Sequence, residues 1–224
     1  MDHGHTMQHG DTLLPARTLP LHSRYNSLLL ERQKSLGSQD LMLQVKLPEG
    51  ACEEEWLAVK TIDFFNELNL LVGALGGWCT EVTCPSMTAG PYTYAWADGC
   101  QFSTPTEMPA PKYFEHLLTW VDSQLADPSF LPIEPGRPFP ANYKKGMRVI
   151  YKRLFRIYAH TFHSHFKEMK EGDADAHLKH SFQHFITFAK EFDLIADAEI
   201  EPLKELVDVL SARSRLTTVP RAEQ

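Results

Sequence analysis

Long stretches of the sequence repeat apolar residues at intervals of three and four, and this spacing constrains the fold more than any other feature. It is the spacing of one helix face, so each such helix must bury that face against a partner. It predicts helices over about 27–36, 112–125, 142–169, 173–192 and 198–211, and another from 53 to the glycines at 73–77. A small hairpin is predicted where aromatic and small residues alternate over Tyr92–Trp96, ahead of Asp98-Gly99. The sequence therefore predicts an all-α bundle with one small β-hairpin.

Composition and charge narrow the class of protein. With 224 residues, of which 43% are apolar, the chain is long enough for one core and short for two. The polar, aperiodic start predicts a flexible arm over 1–26, a domain over 27–212 and a flexible tail over 213–224. The net charge of −7 disfavours nucleic-acid partners and anionic membranes. No secretory signal or membrane-spanning run is found, so we expect a cytosolic or nuclear protein with reduced cysteines.

Two cysteines and a histidine-rich segment predict a metal site. Cys79 and Cys84, in CTEVTCP, have a spacing seen in zinc ligand pairs, and they follow a glycine-rich break. Two histidines of the later run AHTFHSH would complete a closed Cys₂His₂ zinc site with a structural role. Helical geometry alone pairs His160 with His163, about 60° apart, rather than with His165, about 140° away. A buried thiol for each cysteine, and a core or surface histidine, remain the alternatives.

A basic face is predicted on the long helix over 142–169, opposite its apolar face. Its members are Lys145, Arg148, Lys152, Arg153 and Arg156. Most such faces are simply solvated. Here the protein is acidic overall, and no acidic residue lies between Glu134 and Glu168 to neutralise the cluster. These features favour an anionic ligand, and a phosphopeptide fits better than a nucleic-acid duplex, which the remaining surface would repel.

Together these motifs resemble the Mob1/phocein family of kinase activators. They are, in chain order from Leu47 to Leu210, CTEVTCP, SMTAGP, YTYAWADG, APKYFEHLLTWV, PFP, KRLFRIYAHTFHSHF, AHLKHSFQHFITFAKEFDLI and EPLKELV. The resemblance implies a four-helix core with additional helices, one structural zinc ion per chain and a monomeric, non-enzymatic adaptor. It also implies binding and activation of NDR/LATS-type kinases in Hippo-like signalling, mitotic exit and the control of cell growth and division. The zinc ligands that it implies are Cys79, Cys84, His160 and His165.

Two peptide-binding surfaces follow from the same resemblance. Lys152, Arg153 and Arg156 match the family's pocket for phosphorylated segments of upstream Ste20-like kinases. Glu55, Trp56 and Asp63 match the acidic surface that receives the basic N-terminal region of the downstream kinase.

The N-terminal part departs more from the family's pattern. Ala51 stands where an acidic residue is expected, and LLPARTLPL replaces the lysine-rich segment of the best-known subgroup. Thr12 and Ser35 align with positions that upstream kinases phosphorylate in that subgroup.

Two other classes of protein compete with the coactivator. A zinc hydrolase needs an open metal position and a general base, but the sequence has no H-E-x-x-H motif and the expected fourth ligand closes the site. A scaffold like the phocein branch would assemble kinase and phosphatase complexes without activating a kinase. The retained Lys152, Arg153 and Arg156 favour the coactivator, and we expect no catalytic activity.

Overall fold

The computed structural model describes residues 13–20, 23–35 and 41–217. The helices are α1 (Asn26–Ser35), α2 (Leu41–Val45), α3 (Glu53–Leu75), α4 (Ala110–Ala126), α5 (Tyr143–Ser164), α6 (Phe166–Glu171), α7 (Asp175–Glu191), α8 (Asp197–Ile200) and α9 (Lys204–Thr217). A 3₁₀ turn, Glu201–Leu203, joins α8 to α9. Two short strands, β1 (Thr88–Ala89) and β2 (Tyr92–Thr93), form an antiparallel hairpin. No helix in these ranges is both long enough and apolar enough to cross a membrane.

Helix α3 is the centre of the core, and α4, α5 and α7 pack around it. Three glutamates occupy its first turn, where negative charge favours the helix N-terminus. Its central residues Phe64, Phe65 and Leu68 are fully buried, each contributing roughly 1.5–3 kcal/mol by burial. Phe64 also meets the rings of Tyr151 on α5 and Phe185 on α7 edge-on. This four-helix core with additional helices and a small hairpin confirms the predicted all-α architecture.

The hairpin turn lies earlier than predicted. Its turn is Gly90-Pro91 rather than Asp98-Gly99, because Ala89 pairs with Tyr92. Gly90 has a φ of 57°, and a Cβ at this position would lie 3.1 Å from the ring of His163. Only glycine combines this backbone conformation with so close an approach to α5. Asp98-Gly99 instead lies within a loop, closed by an isolated bridge between Trp96 and Thr106.

Two predicted helices are each interrupted. The helix predicted over 142–169 stops at Ser164, and α6 starts after His165, whose φ of −133° and ψ of 12° are not helical. The helix predicted over 198–211 is divided into α8, the 3₁₀ turn and α9, because Pro202 lacks the N–H that a continuous helix needs. Helix α9 continues to Thr217, beyond the predicted domain end at 212.

Residues 13–20, which belong to the predicted arm, lie along α3. The side chain of Asn69 accepts the N–H of Leu14 at 3.2 Å and donates to its carbonyl. Asn66 makes the same pair of bonds to the backbone of Arg17, both at 2.8 Å. The Arg17 guanidinium also pairs with Asp122 of α4 at 2.7 Å. Residues 1–12 and 218–224 lie outside the described ranges, and the domain boundaries stay predictions.

Candidate metal centre and two charged surfaces

Four predicted ligands meet at one buried point. Sulfur and nitrogen atoms of Cys79, Cys84, His160 and His165 all lie within 4.8 Å of one another. The Cys79 Sγ lies 3.5 Å from His160 Nε2, and the Cys84 Sγ lies 3.3 Å from His165 Nε2. Tetrahedral zinc with usual Zn–S and Zn–N bonds separates such atoms by about 3.5 Å. The donors therefore fit a four-coordinate metal ion.

Backbone hydrogen bonds position the two cysteines. The Cys79 N–H continues the hydrogen bonding of α3 by donating to the Leu75 carbonyl at 2.8 Å. The Cys84 N–H closes the intervening turn onto the Thr80 carbonyl, also at 2.8 Å. The Thr83 hydroxyl donates to the Trp78 carbonyl at 2.7 Å and ties the turn to the end of α3. The cysteine loop is therefore held in shape by its own backbone and threonines.

The histidines are held by different means. His160 Nδ1 lies 2.7 Å from the carbonyl of Thr88 in β1, so it carries the proton and leaves the Nε2 lone pair facing the cysteines. His165 reaches the same point because α5 ends just before it. Its Nδ1 is buried and has no hydrogen-bond partner among the described residues.

Burial controls the protonation of these groups. It lowers the pKa of His160 to about 4 and also lowers the pKa of His165. Burial, reinforced by the neighbouring Cys84, raises the pKa of the Cys79 thiol. Both imidazoles are therefore neutral and ready to bind a metal at neutral pH. Binding would have to displace a proton from the thiol, so metal affinity should fall as the pH is lowered.

His163 is not part of the cluster. Its Nε2 lies 2.8 Å from the carbonyl oxygen of Pro202. The pairing of His160 with His163 that helical geometry favours is wrong, because the helix does not continue through His165. The ligand set implied by the resemblance is the one whose members the structure brings together.

We define the basic surface as Lys152, Arg153 and Arg156. Aromatic rings hold its two arginines in place. The Arg153 guanidinium lies between two indoles, 4.6 Å from the ring of Trp96 and 4.2 Å from that of Trp120. It also donates to the Ala97 carbonyl at 2.6 Å. Such contacts fix the planar cation in one orientation.

Arg156 is held by two tyrosines. Its guanidinium lies 4.9 Å from the ring of Tyr94 and donates to the hydroxyl of Tyr113. Burial raises the pKa of Tyr94 to about 12 and that of Tyr113 as well, so both phenols stay neutral. Sequence reasoning missed these rings as positioning groups. For Tyr94 the signal was the aromatic alternation of YTYAW, which was used to predict the hairpin, whereas Tyr113 lies in APKYFEHLLTWV, which was interpreted as a helix.

Charges from distant segments partly neutralise the basic face. Glu199 pairs with Lys152 at 2.5 Å, and Asp193 pairs with Arg148. The expectation that no acidic residue neutralises this face is therefore wrong, because both carboxylates follow α7 in the chain. In the described part of the chain, Arg153 and Arg156 have no carboxylate at ion-pair distance, and one nitrogen of each is buried without a partner. Arg153 and Arg156 therefore provide the positive charge of this face that remains available to a ligand.

The acidic surface, which we define as Glu55 and Asp63, is occupied from within the chain. Arg24, just before α1, pairs with Glu55 at 2.7 Å. Arg32, in α1, pairs with Asp63 at 2.6 Å. Burial raises the pKa of Asp63, and Arg32 opposes that shift. A basic partner segment would therefore have to compete with α1 and the residues before it.

Trp56, the third residue predicted at this surface, and the two predicted phosphorylation positions lie in different surroundings. Trp56 is only 1% exposed and donates from its Nε1 to the Val45 carbonyl at 3.0 Å. In this conformation it holds α2 against α3, and it also borders a groove between α1 and α2. Ser35 is the last residue of α1, but its side chain lies outside the described part. Thr12 lies wholly outside the described residues.

Comparison with known proteins places these features in one family. A model of the Mob1/phocein family matches residues 33–203. "MOB kinase activator-like 1A" of Arabidopsis thaliana is 47% identical over 198 residues, which cover 88% of this chain and 92% of the relative. A protein of the same name from Medicago sativa subsp. falcata is 46% identical over 198 residues, with the same coverage. "MOB kinase activator-like 1 homolog A" of Dictyostelium discoideum is 43% identical over 200 residues, covering 89% and 94%.

Proposed function

Because the chain belongs to the Mob1/phocein family, we propose that it is a non-catalytic kinase coactivator with one structural zinc ion. It binds the basic N-terminal region of an NDR/LATS-type kinase at Glu55 and Asp63, and a phosphorylated segment of a Ste20-like kinase at Lys152, Arg153 and Arg156. The observation that carries the proposal is the presence of two surfaces of opposite charge on one domain whose relatives bear the name kinase activator. We expect a monomer, located in the cytoplasm or nucleus and acting in Hippo-like control of cell division.

The donor set supports zinc as the metal. Two thiolates and two imidazoles in a buried, tetrahedral arrangement are the donors that structural zinc prefers. Four protein ligands leave no position for a reactive water molecule, and this supports a structural rather than catalytic role. Bound at this point, the metal would tie the loop after α3 to α5 and, through the bond from His160 to Thr88, to the hairpin.

The arginine geometry supports phosphate binding. Arg153 and Arg156 lie one turn apart on α5, each with its guanidinium plane fixed by aromatic rings. A guanidinium held in this way loses little side-chain entropy when it binds a phosphate oxygen. A dianionic phosphate also gains from the nearby Lys152, which can leave Glu199 at little expense because surface ion pairs are weak.

The acidic surface supports a basic kinase segment. The internal pairs of Glu55 with Arg24 and Asp63 with Arg32 demonstrate that two guanidinium groups fit there, at carboxylates about 12 Å apart along α3. A kinase segment with arginine or lysine at that spacing would replace Arg24 and Arg32.

Calorimetry with two peptides on matched variants tests the proposal. One peptide is a phosphothreonine segment of a Ste20-like kinase, and the other is the basic N-terminal segment of an NDR/LATS-type kinase. We expect Arg156→Ala to weaken phosphopeptide binding about tenfold or more while kinase-segment binding is unchanged. Glu55→Lys should weaken kinase-segment binding while phosphopeptide binding is unchanged. Lys145→Ala, at an exposed lysine of the same helix, and Glu191→Lys, at an exposed glutamate of α7, are the controls.

Each outcome has a clear meaning. If Arg156→Ala binds the phosphopeptide as well as Lys145→Ala does, the basic surface is only a structural feature of α5. A phocein-like scaffold, which assembles a kinase and phosphatase complex without activation, would then replace the coactivator. The ion pair of Lys152 with Glu199, which neutralises one cation of the basic surface, is the observation that favours that second function.

A further inference from the structure

A cavity of about 540 Å³ lies beside the hairpin, between the end of α5 and the start of α9. Its apolar lining is Pro91, Tyr92, Phe162, Leu203 and Leu206. Two carboxylates, Glu201 and Glu205, also border it. Its size is that of a site for a small ligand or a large side chain. We call this cavity the hairpin groove.

The hairpin groove continues the basic surface along one edge of α5. Lys152, Arg156 and His163 are separated by four and seven positions, which places all three within about 40° of one line along the helix. His163 lines the groove, and its bond to the Pro202 carbonyl holds α5 against the 3₁₀ turn there. On the hairpin side, Tyr94 lies on Arg156 while Tyr92, two residues earlier, lines the groove.

The distance between the two features matches a short peptide segment. Seven residues of α-helix separate Arg156 from His163, which corresponds to about 10.5 Å along the axis. An extended peptide advances about 3.3 Å per residue, so three residues cover this distance. A phosphoresidue bound at Arg156 therefore places its third neighbour, on one side, over the hairpin groove.

The residues that line the hairpin groove determine which kind of peptide side chain it would bind. Aromatic, proline and leucine side chains form the floor, so an apolar group gains by leaving water. Glu201 and Glu205 at the border disfavour an acidic residue, and Lys204, which also lines the groove, is paired with Asp208 at 2.7 Å. His163 Nε2 is engaged by Pro202, so this nitrogen does not offer a donor for a second phosphate.

We propose that the hairpin groove is a specificity subsite that takes one large apolar side chain, three residues from the phosphorylated residue of the bound peptide. The inference rests on the proposed phosphopeptide function and adds a second recognition element to it. The occupant is a segment of the phosphorylated partner, selected by an apolar anchor at a fixed distance from its phosphate.

A set of nine-residue peptides tests the subsite on the full chain. Each has a central phosphothreonine, a background of alanine and serine, a fluorescent label and one leucine, placed in turn at every position from four before to four after the centre. We expect anisotropy titrations to show binding about tenfold tighter when the leucine stands three positions from the phosphothreonine on one side. Leu206→Lys should abolish that preference. Val209→Lys, on the same helix at a residue that is 51% exposed and does not line the groove, should retain it.

The outcomes separate the subsite from the proposed function. If phosphopeptides bind better than their unphosphorylated counterparts but the leucine position makes no difference, the subsite is refuted and the phosphopeptide function stands. A preference that survives Leu206→Lys also refutes it. If no phosphopeptide binds better than its unphosphorylated counterpart, the proposed function fails and the subsite falls with it. Tyr92→Ala, at a residue that is 39% exposed, replaces Leu206→Lys if that variant does not fold.

Discussion

Replacing Arg153 by lysine should destabilise the protein more than its partly buried position suggests. Lysine retains the charge, but its ammonium cannot lie flat between the indoles of Trp96 and Trp120. Two cation–π contacts contribute about 0.5–1 kcal/mol each, and the bond to the Ala97 carbonyl adds about 1.5–3 kcal/mol. Since lysine can recover part of the hydrogen bond, we expect a loss of about 2–4 kcal/mol in the free energy of unfolding.

Arg148→Lys is the matched control for this change. Arg148 lies on the same helix and pairs with Asp193 in an exposed ion pair, which should be worth at most about 1 kcal/mol. Urea denaturation, followed by tryptophan fluorescence and circular dichroism, measures both variants, and an unchanged m-value confirms that the same folded state is compared. If Arg153→Lys loses no more stability than Arg148→Lys, the two indoles do not stabilise the guanidinium and the account of the basic surface is wrong.

Two further predictions concern the metal and acid stability. The purified protein should contain about one zinc ion per chain. Cys79→Ser should lower both the metal content and the melting temperature, whereas Cys100→Ser, at an exposed cysteine, should change neither. Equal metal content in the two variants would exclude the site. Burial, with Lys60 nearby, lowers the pKa of His184 from 6.5 to about 3. As the pH drops from about 6.5 towards 3, this imidazole is therefore protonated in the unfolded chain before it is protonated in the folded protein, and the free energy of unfolding should fall. His184→Leu should reduce this acid-induced loss in the free energy of unfolding by about 2–4 kcal/mol, as measured by denaturation curves at a series of pH values. An unchanged pH dependence would contradict the assignment of the loss to His184.

Helical periodicity predicted the core because burial dominates it. Helices α3, α4 and α7 were predicted to within a few residues, since each carries a long apolar face that packs on its neighbours. The break at His165 has no such local signal. It is associated with the approach of His165 to Cys84, which lies 81 positions earlier in the chain. Periodicity alone therefore chose the wrong histidine, and the family resemblance corrected it.

The charged surfaces depend even more on distant contacts. Nothing within α5 indicates that Glu199 and Asp193 reach Lys152 and Arg148. In the same way, the internal partners of Glu55 and Asp63 come from the segment around α1, about thirty residues earlier. Sequence spacing could identify these charged side chains as candidates, but their ion-pair partners depend on how the elements pack.

The rate at which a purified NDR/LATS-type kinase phosphorylates a substrate peptide tests the central claim most directly. Adding the protein should raise this rate to a saturating level, and the protein alone should phosphorylate nothing. Glu55→Lys should abolish the increase because it reverses the charge proposed to meet the kinase segment, whereas Arg156→Ala should retain it because no phosphopeptide takes part. A kinase rate that stays unchanged at saturating protein, with the kinase segment bound, would contradict the coactivator account.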